Sequence, residues 1–180
     1  MPERRVALLR GINVGRAKRV AMAELRALVE DLGYKDVRTL LNSGNVVFTM
    51  PGSHRGSPAT RIEKTIPERF GLSARVTVLT AAEVASAVRD NPLSDVADNL
   101  SRLQVMVLAD PEARTRLQPL LKQRWHPEVL ALGQRVAHLW CPRGVLDSPL
   151  MVAASRAVGD AGTARNTATM TKLQALAGGG

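Results

Sequence analysis

Apolar positions change period several times along the chain, and each change marks an element. Residues 5–10 are apolar on both faces at their centre, through Val6, Ala7, Leu8 and Leu9, the pattern of a central strand. Met22, Leu25, Leu28, Val29 and Leu32 recur at helical spacing and predict a helix over 21–32, with Gly33 as its left-handed stop. Strands are expected over 36–42 and 45–50. Val37, Thr39 and Leu41 share one face of the first, and Val46 and Phe48 one face of the second. Ser43-Gly44 between them reads as a two-residue hairpin turn; a single strand with a glycine bulge is the alternative. After a Gly/Ser/Pro-rich loop over 51–58, Ile62, Ile66 and Phe70 predict a helix over 59–70, bent by Pro67 and ended by Gly71. A strand over 75–79 carries Val76 and Val78 on one side. Thr80-Ala81-Ala82-Glu83 is a capping box that opens a helix ending at Asn91-Pro92.

The same order then returns. Residues 102–109 form a strongly apolar strand, and Asp110-Pro111 is an N-cap with proline at the first helical position. That helix is expected to reach Trp125, with Leu117, Leu120 and Leu121 inward. A hairpin spans 128–132 and 134–141 around Gly133. Ser148-Pro149 starts a helix to Val158, residues 162–166 form a last strand, and Thr167 caps a final helix to Ala177, with Gly178-Gly179-Gly180 frayed. The fold class read from this order is α+β: two ferredoxin-like (β-α-β-β-α-β) units, each followed by a helix. The first covers 1–92 and the second 102–180, joined by a linker over 93–101. The resemblance between the halves lies in element order, not residue identity.

Strand order gives the loops meaning. In a ferredoxin-like unit the end of the first strand, the start of the first helix and the hairpin after the second strand share one sheet edge. Arg10, Gly11, Asn13 and Gly15 are therefore expected beside Ser43, Gly44 and Asn45, some thirty residues away. Such a cluster suits an anion: glycines let backbone N–H groups approach, a helix start adds partial positive charge, and Arg10 can hold a carboxylate or phosphate through two parallel bonds. Asn13 and Asn45 offer donors and acceptors, and Ser43 a hydroxyl. Equally open is a structural role, with Asn13 holding its loop and Asn45 its hairpin. The spacing matches neither the P-loop nor the dinucleotide fingerprint. Arg165 and Asn166, at the start of the last helix, form a second polar group, whose alternative is a helix cap.

Charge and composition adjust the picture in few places. The chain of 180 residues carries 25 Lys and Arg against 16 Asp and Glu, a net charge of +9 that would attract polyanions. Nucleic acid is thus a candidate partner, though not the favoured one, because the central strand positions offer only Phe48 as an exposed-aromatic stacking platform. The single cysteine, Cys141, excludes an internal disulfide and fits a reducing compartment. No stretch approaches the ~20 apolar residues of a membrane span, and residues 6–9 are too few for a signal-peptide core, so a cytoplasmic location and no membrane partner are expected. His54, His126 and His138 lack metal-ligand spacing, no metal site is expected, and no Ser/His/Asp set can be assembled. Catalysis, cofactor and oligomeric state are left open.

Four motifs together carry a family resemblance: Ala7-Leu8-Leu9-Arg10-Gly11-Ile12-Asn13-Val14-Gly15, Met22-Ala23-Glu24-Leu25-Arg26, Ser43-Gly44-Asn45-Val46-Val47-Phe48 and Thr163-Ala164-Arg165-Asn166. The chain resembles, over nearly its whole length, the bacterial family catalogued as domain of unknown function 1697. That resemblance implies a two-part α+β protein with ferredoxin-like units and no particular activity. Arg16 stands where the family usually has a second glycine, Leu40 and Asn42 where an aromatic and a glutamine are common, and Thr167 where a tryptophan often follows Arg-Asn. The functional expectation is a small anionic ligand, phosphate- or carboxylate-bearing, held by Arg10, Gly11, Asn13, Gly15, Ser43, Gly44 and Asn45, with Arg165 and Asn166 as further candidates. The alternatives are a nucleic-acid-binding protein and a structural or oligomerisation protein.

Overall fold

The computed structural model describes residues 2–16 and 18–178. The chain divides into two compact units, Met1–Val84 with Leu173–Gly180, and Ala85–Lys172. The first contains β1 (Glu3–Arg10), α1 (Met22–Asp31), β2 (Lys35–Leu40), β3 (Asn45–Met50), α2 (Pro58–Phe70) and β4 (Arg75–Thr80), and leads into α3 (Ala81–Arg89). Its sheet order is β2-β3-β1-β4, with every neighbour antiparallel. The second contains β5 (Leu103–Leu108), α4 (Pro111–Leu117), β6 (Val129–Leu132), β7 (Val136–Trp140), α5 (Pro149–Val158) and β8 (Gly162–Asn166), and leads into α6 (Thr167–Gly178). Its order, β6-β7-β5-β8, repeats the first. Both are the ferredoxin-like α+β arrangement that the element order predicts.

Each sheet buries one face under its two helices. In the first unit Ala7, Leu9, Val46, Phe48 and Val76 meet Leu25, Leu28 and Val29 of α1 and Ile62, Ile66 and Phe70 of α2. Full burial of each larger side chain stabilises the fold by about 1.5–3 kcal/mol. Val6, Leu8 and Val47 on the opposite face are equally buried, as expected of a strand apolar on both faces. There the Arg4 guanidinium donates to the carbonyl of Leu176, tying the end of α6 to β1. In the second unit Met106, Leu108, Ala137 and Leu139 pack with Ala113 and Leu117 of α4 and with Leu150, Met151, Ala154 and Val158 of α5.

Local signals set most element ends. Asp110, Ser57 and Ser148 each accept a backbone N–H in the first turn of their helix, and each is followed by proline. Thr80 and Glu83 form the reciprocal capping box. Glu128 reinforces α5 by accepting from the Ser148 hydroxyl and from the Leu150 N–H.

The structure departs from the sequence reading in several places. β2 stops at Leu40, so the hairpin connection is a four-residue loop, 41–44, rather than a two-residue turn. Leu41 lies in that loop at φ 57°, half exposed, and does not share the inward face of Val37. The helix after Asp110 ends at Leu117 and continues as a short 3-10 segment over Gln118–Lys122, because Pro119 cannot donate to the α-helical ladder. Asn166, not Thr167, caps α6: its side-chain oxygen accepts the N–H of Thr169, while the Thr167 hydroxyl donates to Leu103. Residues 93–101, expected as a linker, lie inside the second unit, where Leu93 and Ala97 pack against Leu103 and Trp140. Gly178 is the last residue of α6, and the other two glycines expected to fray lie outside the described residues.

Candidate functional site

The connection between β1 and α1 runs over 11–21 and is held by one side chain. Asn13 sits in the left-handed region at φ 55°, which asparagine tolerates better than most residues. Its amide nitrogen donates to the carbonyls of Val20 (3.0 Å) and Asn42 (2.8 Å), and its oxygen accepts the N–H of Val20 (2.7 Å). One amide thus closes the loop on itself and fastens it to the 41–44 hairpin. Arg19 adds a bond to the Asn13 carbonyl at 2.7 Å.

The hairpin meets the loop at close quarters. The Gly44 carbonyl accepts the Leu9 N–H at 2.8 Å. A Cβ on Gly44 would lie 2.8 Å from Ile12 Cδ1 and 2.9 Å from Leu9 Cβ, and φ is +89°, so only glycine fits. Asn45 is fully buried, and its amide donates to the Leu40 carbonyl and the Ser43 hydroxyl, each at 2.8 Å. The predicted convergence of the two loops is therefore present. The two asparagines that were candidates for ligand contact have their amides engaged in holding the frame.

What the frame presents is backbone and cationic side chains. Gly11 (φ +80°) and Gly15 (φ +58°) are exposed, and among the described residues beyond their chain neighbours none has an atom within 4 Å of where a Cβ would stand. Arg16, Lys18 and Arg19 are exposed, and no carboxylate occurs between Glu3 and Glu24. Arg10, half buried at the end of β1, lies in direct antiparallel register with Arg75 at the start of β4. Like charges placed opposite each other across two strands are unfavourable. Glu63 of α2 compensates in part, with one oxygen 3.4 Å from Arg75 and the other accepting the Val76 N–H. Lys18 reaches the same edge, its Nζ 3.5 Å from the Cβ position of Gly71, the C-cap of α2. Arg75 was absent from the sequence-derived set. The signal was available, since the split βαβ order sets the start of the fourth strand against the end of the first. The start of α1 contributes little, having no side-chain cap at Ala21 and an acidic residue, Glu24, in its first turn.

Arg165 and Asn166 belong to the second unit, at the junction of β8 and α6. The Asn166 side chain is the helix cap described above. The Arg165 guanidinium donates to the neighbouring Ala164 carbonyl, and burial pushes its pKa down to about 10, which leaves it cationic at neutral pH. On the same sheet face His138 is buried with Nδ1 unpartnered, and desolvation holds its pKa down at about 4. Among the described residues no three His, Cys, Asp or Glu side chains form a group able to hold a metal ion. No helix among the described residues is long and apolar enough to cross a membrane.

Comparison with known proteins adds family and fold. A family model described as "Protein of unknown function (DUF1697)" matches residues 3–138. Among solved structures, the chain is similar to a conserved bacterial protein from Streptococcus pneumoniae at 21% identity and a TM-score of 0.73, covering 98% of this chain and 99% of that one. A search of curated proteins gave no match.

Proposed function

The chain belongs to the DUF1697 family of proteins of unknown function, and from that premise we propose that its first unit binds a small anionic ligand, phosphate- or carboxylate-bearing, at the loop after β1. The observation that carries this reading is the edge-to-edge register of Arg10 with Arg75, joined by Lys18 from the loop. Two guanidiniums in register at one end of the sheet could share an anion, each gripping it through paired N–H donors. Gly11 and Gly15 would let backbone N–H groups approach it, having no side chain in the way. Asn13, Gly44 and Asn45 act one step back: they keep the loop in a single conformation, so a ligand would not bear the cost of ordering it. Ser43 stands on the rim through the hydroxyl that accepts from Asn45.

Isothermal titration with inorganic phosphate, pyrophosphate, citrate and a sugar phosphate tests the proposal. Saturable binding that is weakened tenfold or more by Arg10→Ala and Arg75→Ala, with their thermal melts retained, supports it. Equal heats in wild type and both variants would sink it. The net charge of +9 favours a second reading, binding of nucleic acid through the basic surface. It predicts oligonucleotide affinity that falls steeply with salt and depends on Arg16 and Lys18 as much as on Arg10.

A further inference from the structure

The second unit exposes an apolar face that carries one acidic and one basic residue. On α5 the outward positions Pro149, Val152, Ala153 and Arg156 follow helical spacing, and Leu146 and Asp147 precede the helix. Leu146 is 97% exposed and Val152 45%, large values for aliphatic side chains, and with the other four and Ser148 they line an open depression of about 400 Å³. The two charges stand at opposite ends of this apolar stripe. Asp147 precedes the N-cap and Arg156 stands in the last turn of the helix, and neither forms an ion pair among the described residues.

We propose that this face docks a second copy of the chain through an antiparallel, two-fold pairing of α5 centred near Val152. A two-fold axis there brings Asp147 of one copy to Arg156 of the other, and the same operation makes the second pair at the opposite end. Leu146, Pro149, Val152 and Ala153 fill the space between the pairs. Ala153 and Pro149 are small enough for the two helices to approach closely. The occupant is argued from the charge pattern: an acid at one end, a base at the other, and apolar residues between them match the same face turned by 180°. An unrelated acidic or basic partner would leave one of the two charges unmatched. The surface is one helix wide, short of the roughly 800 Å² per partner of a stable complex, so the dimer is weak and concentration-dependent.

Sedimentation velocity on the intact chain, from roughly 10 µM to 1 mM in low salt, reads the outcome as an association constant. Wild type is expected to dimerise within that range. Val152→Glu, whose side chain is outside the core, should abolish association, with a thermal melt confirming that it still folds. Asp147→Arg and Arg156→Asp should each weaken the dimer by about tenfold or more, since each sets like charges at both ends. The double reversal Asp147→Arg/Arg156→Asp should restore it. A wild-type chain that stays monomeric throughout overturns the proposal, and so does self-association indifferent to Val152→Glu or a double reversal no better than either single.

Discussion

Replacing Asn13 by alanine tests whether one amide organises the candidate site. The substitution removes two donor bonds, to the carbonyls of Val20 and Asn42, and one acceptor bond, from the Val20 N–H. The two bonds with Val20 are partly buried and the bond to Asn42 is exposed. With a net worth of about 0.5–1.5 kcal/mol per bond, about 1 for each of the former and about 0.5 for the latter sum to about 2.5 kcal/mol. Alanine at φ 55° adds about 1 kcal/mol of left-handed strain. The expected loss is about 3–4 kcal/mol, read as a lowered urea midpoint with an unchanged slope by circular dichroism. Asn13→Gly deletes the same bonds but accepts the backbone angle, so it should cost about 1 kcal/mol less than alanine. Asn13→Asp keeps the acceptor and turns a carboxylate oxygen toward two carbonyls, so it should not rescue. A loss below about 0.5 kcal/mol in Asn13→Ala, or glycine proving worse than alanine, would refute this account.

Other consequences are equally direct. Gly44→Ala sets a Cβ within 3 Å of both Ile12 and Leu9 at a positive φ; overpacking and strain together should cost about 2–4 kcal/mol in the same urea assay. His138, held neutral by desolvation with its pKa lowered to about 4 from 6.5, binds its proton more weakly folded than unfolded. Its contribution is therefore full above pH 6.5 and declines as pH falls through 6.5 toward 4, by up to about 3 kcal/mol at about 1.4 per unit. Urea midpoints measured from pH 7.5 to 4 should flatten in that window in His138→Gln. The Cys141 thiol is buried, with its pKa pushed up to about 11 first by desolvation and then by the charge of Glu128, opposed by a hydrogen bond with Ser148. It should resist a disulfide-exchange reagent in the native protein at pH 8 and react promptly in denaturant.

Much of the fold was legible because its signals are local. Period changes placed the strands and helices, and Ser148, Asp110 and the Thr80-Glu83 pair marked helix starts through their own side chains. Strand order then acts over distance, because a split βαβ unit sets residues 11–15 beside residues 43–45. What stayed hidden depended on backbone atoms. The bond from Asn13 to Asn42 ends on a carbonyl whose position follows from Leu41 taking a positive φ, an unusual angle for leucine. Nothing in the identity of Leu41 announces it, so the hairpin read as shorter than it is. At the start of α6, Asn166 and Thr167 are both competent caps, and only the bond from Thr167 to Leu103 decides between them. Arg75 is a different case: its place opposite Arg10 follows from topology, but a cation at the start of an edge strand attracts no notice by itself.

The bond from Arg4 to Leu176 has a bearing on the order in which the protein can be completed. The first unit includes Leu173–Gly180 as well as Met1–Val84, so its last segment follows residue 84 by about ninety residues of translation. At 5–20 residues per second that is an interval of about 5–20 s. Throughout it β1 is already made, while the carbonyl that Arg4 will bind has yet to be synthesised. The second unit, Ala85–Lys172, is continuous in sequence and meets no such delay. Of these two units, the one begun earlier on the ribosome is the one finished later.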